Sequence, residues 1–192
     1  MKKYLLFIFI VSIISVVGAE SLPGFWGIPW ESSMLEVESA MESKGYKVTF
    51  KNDNGAIFKN VTFANRSGDA IFLFKENRFS LGGFIFVPPK NQAYESYQSL
   101  KKDLVEKYGA PNSDTEQYVY PYSKGDGHTE FAITSNYLKI NTGWRFDDNN
   151  VILLSMKATE KEKKVEINLA YYFGLAAEKA AQESKKSTLD DL

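Results

Sequence analysis

The sequence predicts an α+β fold in which two tandem halves, each a helix followed by an antiparallel meander, form one domain. Three observations predict it. Two amphipathic helical patterns, near residues 34–44 and 92–108, are each followed by runs of apolar residues with a period of two. Clusters of Asn, Asp, Gly and Ser punctuate those runs as turns. Cysteine is absent from all 192 residues, so an apolar core has to supply the stability.

The first nineteen residues read as an export leader. Lys2 and Lys3 supply a positive start, Leu5 to Val17 is apolar apart from two serines, and Val17-Gly18-Ala19 offers slim residues to a signal peptidase. Cleavage is expected between Ala19 and Glu20. A membrane-spanning helix needs about 20 apolar residues, more than this run provides. No cysteine follows it for lipid attachment. The expected mature chain is therefore free in a periplasmic or secreted space, with one domain over 20–172 and a tail over 173–192.

The first half, about 24–90, opens on Gly24-Phe25-Trp26-Gly27-Ile28-Pro29-Trp30, an aromatic stretch punctuated by Gly and Pro. A helix follows to about Lys44, started by Ser33 and Glu36 at capping-box spacing. Met34, Val37 and Met41 form its apolar stripe, and Gly45 suits a left-handed cap. Tyr46, Val48 and Phe50 then alternate with polar residues as a strand. Asn52-Asp53-Asn54-Gly55 and Asn65-Arg66-Ser67-Gly68-Asp69 are turns, with a strand through Phe58, Val61 and Phe63 between them. Strands over 70–74 and 78–87 end at Pro88-Pro89, because proline has no N–H for the ladder. Gly82-Gly83 inside the last strand reads as a bulge or a close approach.

The second half, about 91–172, opens with a helix over 92–108 carrying Tyr94, Tyr97, Leu100, Leu104 and Tyr108 on one side. Gly109 and Pro111 stop it. Strands are expected at 118–122, 129–134, 138–146, 151–157 and 165–171, with Asp147-Asp148-Asn149-Asn150 as a turn. Beyond Phe173 the chain is rich in Ala, Glu and Lys, which favours helix, but has few bulky apolar residues.

Charge narrows the function. Of 23 basic and 24 acidic residues the leader removes two lysines and no acid, leaving about −3 on the mature chain. No basic stripe is present, so nucleic acid is not an expected partner. His128 is the single histidine, and with Asp126 and Glu130 it falls short of the ligand set that a committed metal site draws. Neither a Gly-x-Ser-x-Gly elbow nor a phosphate-cradling glycine loop occurs, so no catalytic residue and no cofactor is expected. Paired carboxylates remain open, Asp147-Asp148 being the densest acidic pair. Tyr118, Tyr120 and Tyr122 alternate and so share one face of their expected strand, and Trp144 lies on another strand of the same half. That face is either a recognition surface for a glycan or protein, or part of the core.

The stretches Trp26-Gly27-Ile28-Pro29-Trp30-Glu31-Ser32-Ser33 and Lys107-Tyr108-Gly109-Ala110-Pro111 resemble a helix opening and a helix exit of many exported bacterial proteins. The helix-then-antiparallel-sheet plan is similar to that of the β-lactamase inhibitor protein and of the small outer-membrane assembly lipoproteins. The resemblance implies binding or envelope structure. The chain departs from it in lacking a lipidated cysteine and, in its second half, the tryptophan-glycine opening. The expectation is an exported, non-enzymatic binding module with an envelope protein or glycan as partner. The rivals are a periplasmic hydrolase using paired carboxylates and a purely structural envelope protein. Two facing acids in a pocket, one with a strongly raised pKa, favour the hydrolase. A broad exposed aromatic patch favours the binder.

Overall fold

The structure, a computed structural model, describes residues 21–89, 91–159 and 164–174. The expected leader with its cut after Ala19 lies outside the described residues, as does the tail from position 175. Among the described residues no helix is long and apolar enough to cross a membrane.

A short hairpin, β1 (Gly24–Phe25) and β2 (Ile28–Pro29), precedes α1 (Met34–Ser43). Then come β3 (Phe50–Asn52), β4 (Gly55–Phe63), β5 (Arg66–Lys75) and β6 (Arg78–Phe86). The second half runs α2 (Ala93–Tyr108), β7 (Ser113–Tyr118), α3 (Thr129–Thr134), β8 (Leu138–Arg145), β9 (Val151–Thr159) and β10 (Lys164–Tyr172). The fold is α+β, as the periodicities predict. Its main sheet has eight antiparallel strands in the order β3-β4-β5-β6-β10-β9-β8-β7. Each half supplies a leading helix and four antiparallel strands, the second half with α3 inserted between β7 and β8, and the last strands of the two halves, β6 and β10, meet at the centre.

The first helix starts where the sequence says it should. Ser33 donates its N–H to Glu36 Oε2 at 2.7 Å, and its Oγ accepts the Glu36 N–H at 3.4 Å. Val37 and Met41 are buried beneath α1, and Gly45 takes a φ of +86°, where a side chain would be strained. All three helices lie on one face of the sheet, α1 against β6 and α2 and α3 against β10. That face carries the core, including Phe58, Phe72, Phe84, Leu154, Ile167 and Leu169. Each such side chain contributes about 2–3 kcal/mol by leaving water.

The N-terminal hairpin is pinned into this core by Phe25. Its ring is wholly buried and sits 5.0 Å from Tyr171, 5.5 Å from Phe63 and 5.6 Å from Phe72, centroid to centroid. Gly82 makes the space: a Cβ there would stand 2.3 Å from the Phe25 ring. Close approach is thus the meaning of Gly82, whereas the register shift of β5 against β6 falls at Leu73/Phe74.

Three expected strands need correction. Tyr46 and Val48 precede β3 and pack against the core as coil, because the Tyr46 hydroxyl accepts the Thr62 N–H at 3.1 Å outside any ladder. The strand expected at 118–122 is instead Ser113–Tyr118, and the chain then turns through Tyr120 and Pro121, where proline offers no ladder donor. Thr129–Thr134 is helical: as α3 it buries Ala132 and Ile133 together, which a strand would send to opposite faces.

Candidate functional site

β7 is an edge strand whose inward positions are Asp114, Glu116 and Tyr118, so a polar row closes this side of the core. The Glu116 carboxylate accepts hydrogen bonds from Tyr94 Oη (3.2 Å), Tyr118 Oη (3.1 Å) and Lys124 Nζ (2.9 Å). Asp114 is ion-paired with Lys101 and accepts the Thr142 hydroxyl at 2.9 Å. Thr142 in turn meets the buried Tyr97 hydroxyl at 2.7 Å.

From this base the chain between β7 and β8 is built outward. The Val119 N–H donates to the Tyr137 carbonyl at 2.8 Å and the Tyr122 N–H to the Val119 carbonyl at 3.1 Å, closing a turn with Tyr120 and Pro121 at its tip. The Asp126 carboxylate accepts the N–H groups of Ser123 and His128, each at 2.8 Å, and so serves its own loop. Glu130 reaches the other way and accepts the N–H groups of Ala93 (3.3 Å) and Tyr94 (2.9 Å), capping α2, whose Gln92 provides no side-chain cap. Asp126, His128 and Glu130 therefore point to different tasks and do not converge.

The result is an exposed aromatic crest. Tyr122 is its half-buried hub, 5.3 Å from Tyr137, 5.7 Å from Phe131 and 6.3 Å from His128. Around it Val119, Tyr120, Phe131 and Tyr137 are exposed, Tyr120 at 89%. Of the residues predicted to form a recognition face, Tyr120 and Tyr122 belong to this crest. Tyr118 belongs to the Glu116 network beneath it. The three do not share a strand face, since the turn rotates the chain after Tyr118. Trp144 is elsewhere: only 2% exposed, it donates its indole N–H to the Gly109 carbonyl at 2.9 Å and is core. Sequence reasoning missed Phe131 and Tyr137, which a strand at 129–134 would have placed apart from the tyrosines.

The acids behind the crest are held as anions. Partial burial pushes the Glu116 carboxyl up, but hydrogen bonds from Lys124 and Tyr118 and the Lys124 charge bring it below the ordinary 4.5. Burial likewise raises Asp114, and Lys101 and Thr142 outweigh it, leaving a net lowering. Burial raises Tyr94 and Tyr118, helped by the neighbouring Glu116 charge, so both stay protonated donors. A depressed folded pKa contributes stability that is full above the unfolded value and is lost as pH falls through the folded one. Thermal melting of wild type and Glu116→Gln should therefore differ most at neutral pH, and the gap should close as pH drops below about 4.

A separate cleft of about 860 Å³ lies where the two quoted motifs meet, with Trp26, Gly27 and Pro29 on one wall and Lys107, Tyr108 and Gly109 on the other. Of the pair Asp147-Asp148, Asp148 accepts the Leu22 N–H (3.1 Å) and the Asn150 amide (2.7 Å), tying down the start of the described chain. No protein-family model, no curated protein and no solved structure matches this chain.

Proposed function

We propose that this protein is an exported, non-enzymatic binding module of the bacterial envelope that engages an envelope protein through the crest formed by Val119, Tyr120, Phe131 and Tyr137. The observation that carries the reading is a group of large apolar side chains held in water on a built support. Exposed aromatic clusters of this kind anchor protein interfaces, because rings bring large contact area with few rotors to immobilise. A protein suits the crest better than a glycan does: Val119 and Phe131 have no polar group for sugar hydroxyls, and the surface projects where sugar sites are concave. The carboxylate hydrolase is not favoured. Its general acid needs a raised pKa, whereas Asp114 and Glu116 are each paired with a lysine and lowered.

Pull-down from the cell envelope tests the proposal. Wild-type chain should retain a protein, and Tyr120→Ser with Phe131→Ser should retain it at least about tenfold less, as expected for hot-spot aromatics. Equal retention by both, retention of glycan alone, or small-molecule turnover with nothing retained would each sink the reading.

A further inference from the structure

The main sheet leaves two strands with a neighbour on one side only, β3 and β7. β3 has three residues, a length that blunts its edge. β7 has six, Ser113–Tyr118, with no proline, glycine or lysine among them. Its bonds to β8 follow from the register, in which Ser113 stands opposite Gly143, Thr115 opposite Asn141 and Gln117 opposite Lys139. The next pair in that series, Val119 and Tyr137, is joined by an N–H to carbonyl bond of 2.8 Å, and the Thr115 hydroxyl reaches the Asn141 carbonyl at 3.3 Å. Antiparallel pairs alternate between bonded and unbonded, so Ser113, Thr115 and Gln117 turn their backbone groups to β8. Asp114, Glu116 and Tyr118 turn theirs to the open edge. Among the described residues, no turn or loop bonds to these outward N–H and C=O groups.

An open edge is normally guarded by prolines, by lysines or by bare charges turned inward. The inward charges of β7 are not bare: Asp114 is ion-paired with Lys101 and Glu116 with Lys124, all within the same chain. On the other face Ser113, Thr115 and Gln117 are uncharged and exposed. The edge is therefore left able to pair. At its C-terminal end the strand runs directly into Val119 and Tyr120, two exposed residues of the crest.

We infer that β7 is a docking edge for an extended segment of the partner protein, which joins the sheet as a further strand and lays one end on the crest. The inference rests on the crest reading for that second contact. The outward groups themselves identify the occupant. They present a donor and an acceptor together at every second residue, about 6.8 Å apart along the strand. An extended polypeptide carries the same repeat, and a glycan or an acyl chain does not. Two roles follow: backbone pairing supplies affinity with little regard to sequence, and the crest selects a large apolar side chain at one end of the segment. The remaining side chains of the added strand would lie beside Asp114 and Glu116 on the helix face, or beside Ser113, Thr115 and Gln117 on the other, where small polar residues fit.

The test uses the full-length chain, purified as the cell processes it, and heptapeptides selected on it from a random phage-displayed library. Each selected peptide is synthesised with N-methyl groups on alternate residues. Methylating the residues whose N–H faces β7 should weaken binding at least about tenfold, while methylating the intervening ones should change it by less than about twofold. Amide exchange gives an independent reading. The N–H groups of Asp114, Glu116 and Tyr118 should exchange fast in the free chain and become protected with peptide bound, whereas that of Gln117 should be protected in both states. The crest variant Tyr120→Ser/Phe131→Ser should weaken binding yet show the same protected amides at saturation. Peptides that need the crest but show neither the alternation nor the new protection would overturn the edge and leave the crest reading standing. Alternation and protection with full affinity in the crest variant would uphold the edge and remove the crest as its second contact. A library that yields no binder, or three amides already protected in the free chain, would sink the inference outright.

Discussion

Phe25→Ala is expected to destabilise the domain by about 4 kcal/mol in urea unfolding, near the upper end for truncating a buried aromatic. The ring plugs the N-terminal hairpin into the sheet, wholly buried and in contact with Phe63, Phe72 and Tyr171. Its removal leaves a void that the flanking rigid strands cannot close. Gly82→Ala attacks the same contact from the other side, driving a methyl into the ring, and should cost about 2 kcal/mol by overpacking. The double variant should lose less than the sum, because the added methyl fills part of the space the ring vacates. Additive losses would mean that Gly82 and Phe25 act independently, contrary to the contact described.

Asn150→Ala should cost about 3 kcal/mol, a large effect for a polar residue in a turn. Asn150 is 1% exposed and joins distant parts of the chain. Its amide donates to the Leu22 carbonyl (2.9 Å) and to Asp148 Oδ2 (2.7 Å), and its carbonyl oxygen accepts the Gly174 N–H (2.8 Å). Truncation leaves the Gly174 N–H without its acceptor and removes one of the Asp148 partners, so desolvation is no longer offset. Because both ends of the described chain depend on this amide, limited proteolysis should find new cuts near residues 22 and 174 in the variant. Stability equal to wild type, with an unchanged digestion pattern, would show that water replaces the clamp.

Much of the fold was legible because local rules and tertiary packing agree. Ser33 and Glu36 cap α1 as their spacing requires, Gly45 takes the left-handed conformation, and Val37 and Met41 point inward. Leu138, Ile140, Thr142 and Trp144 all face inward along β8, as alternation predicts. The candidate site was legible only in part. Tyr120 and Tyr122 were singled out, but as members of a strand, and Trp144 was grouped with them although its indole packs beneath the sheet. Six residues, Thr129–Thr134, are too few for a period to distinguish helix from strand, and it is Glu130 capping a different helix that decides the matter.

What the sequence determined by itself was the content and order of the elements: caps, stop signals and apolar periods act over a few residues and are written in the chain. What only the tertiary structure decided was which side chains meet. The crest gathers residues from a turn, a short helix and the approach to β8. Phe25 of the first hairpin meets Phe63, Phe72 and Tyr171 from three different strands, and Gly82 takes its meaning from that ring. Such contacts join positions more than a hundred residues apart, as Leu22 and Asn150 are, and no local preference encodes them, because their free energy exists only once the sheet has closed.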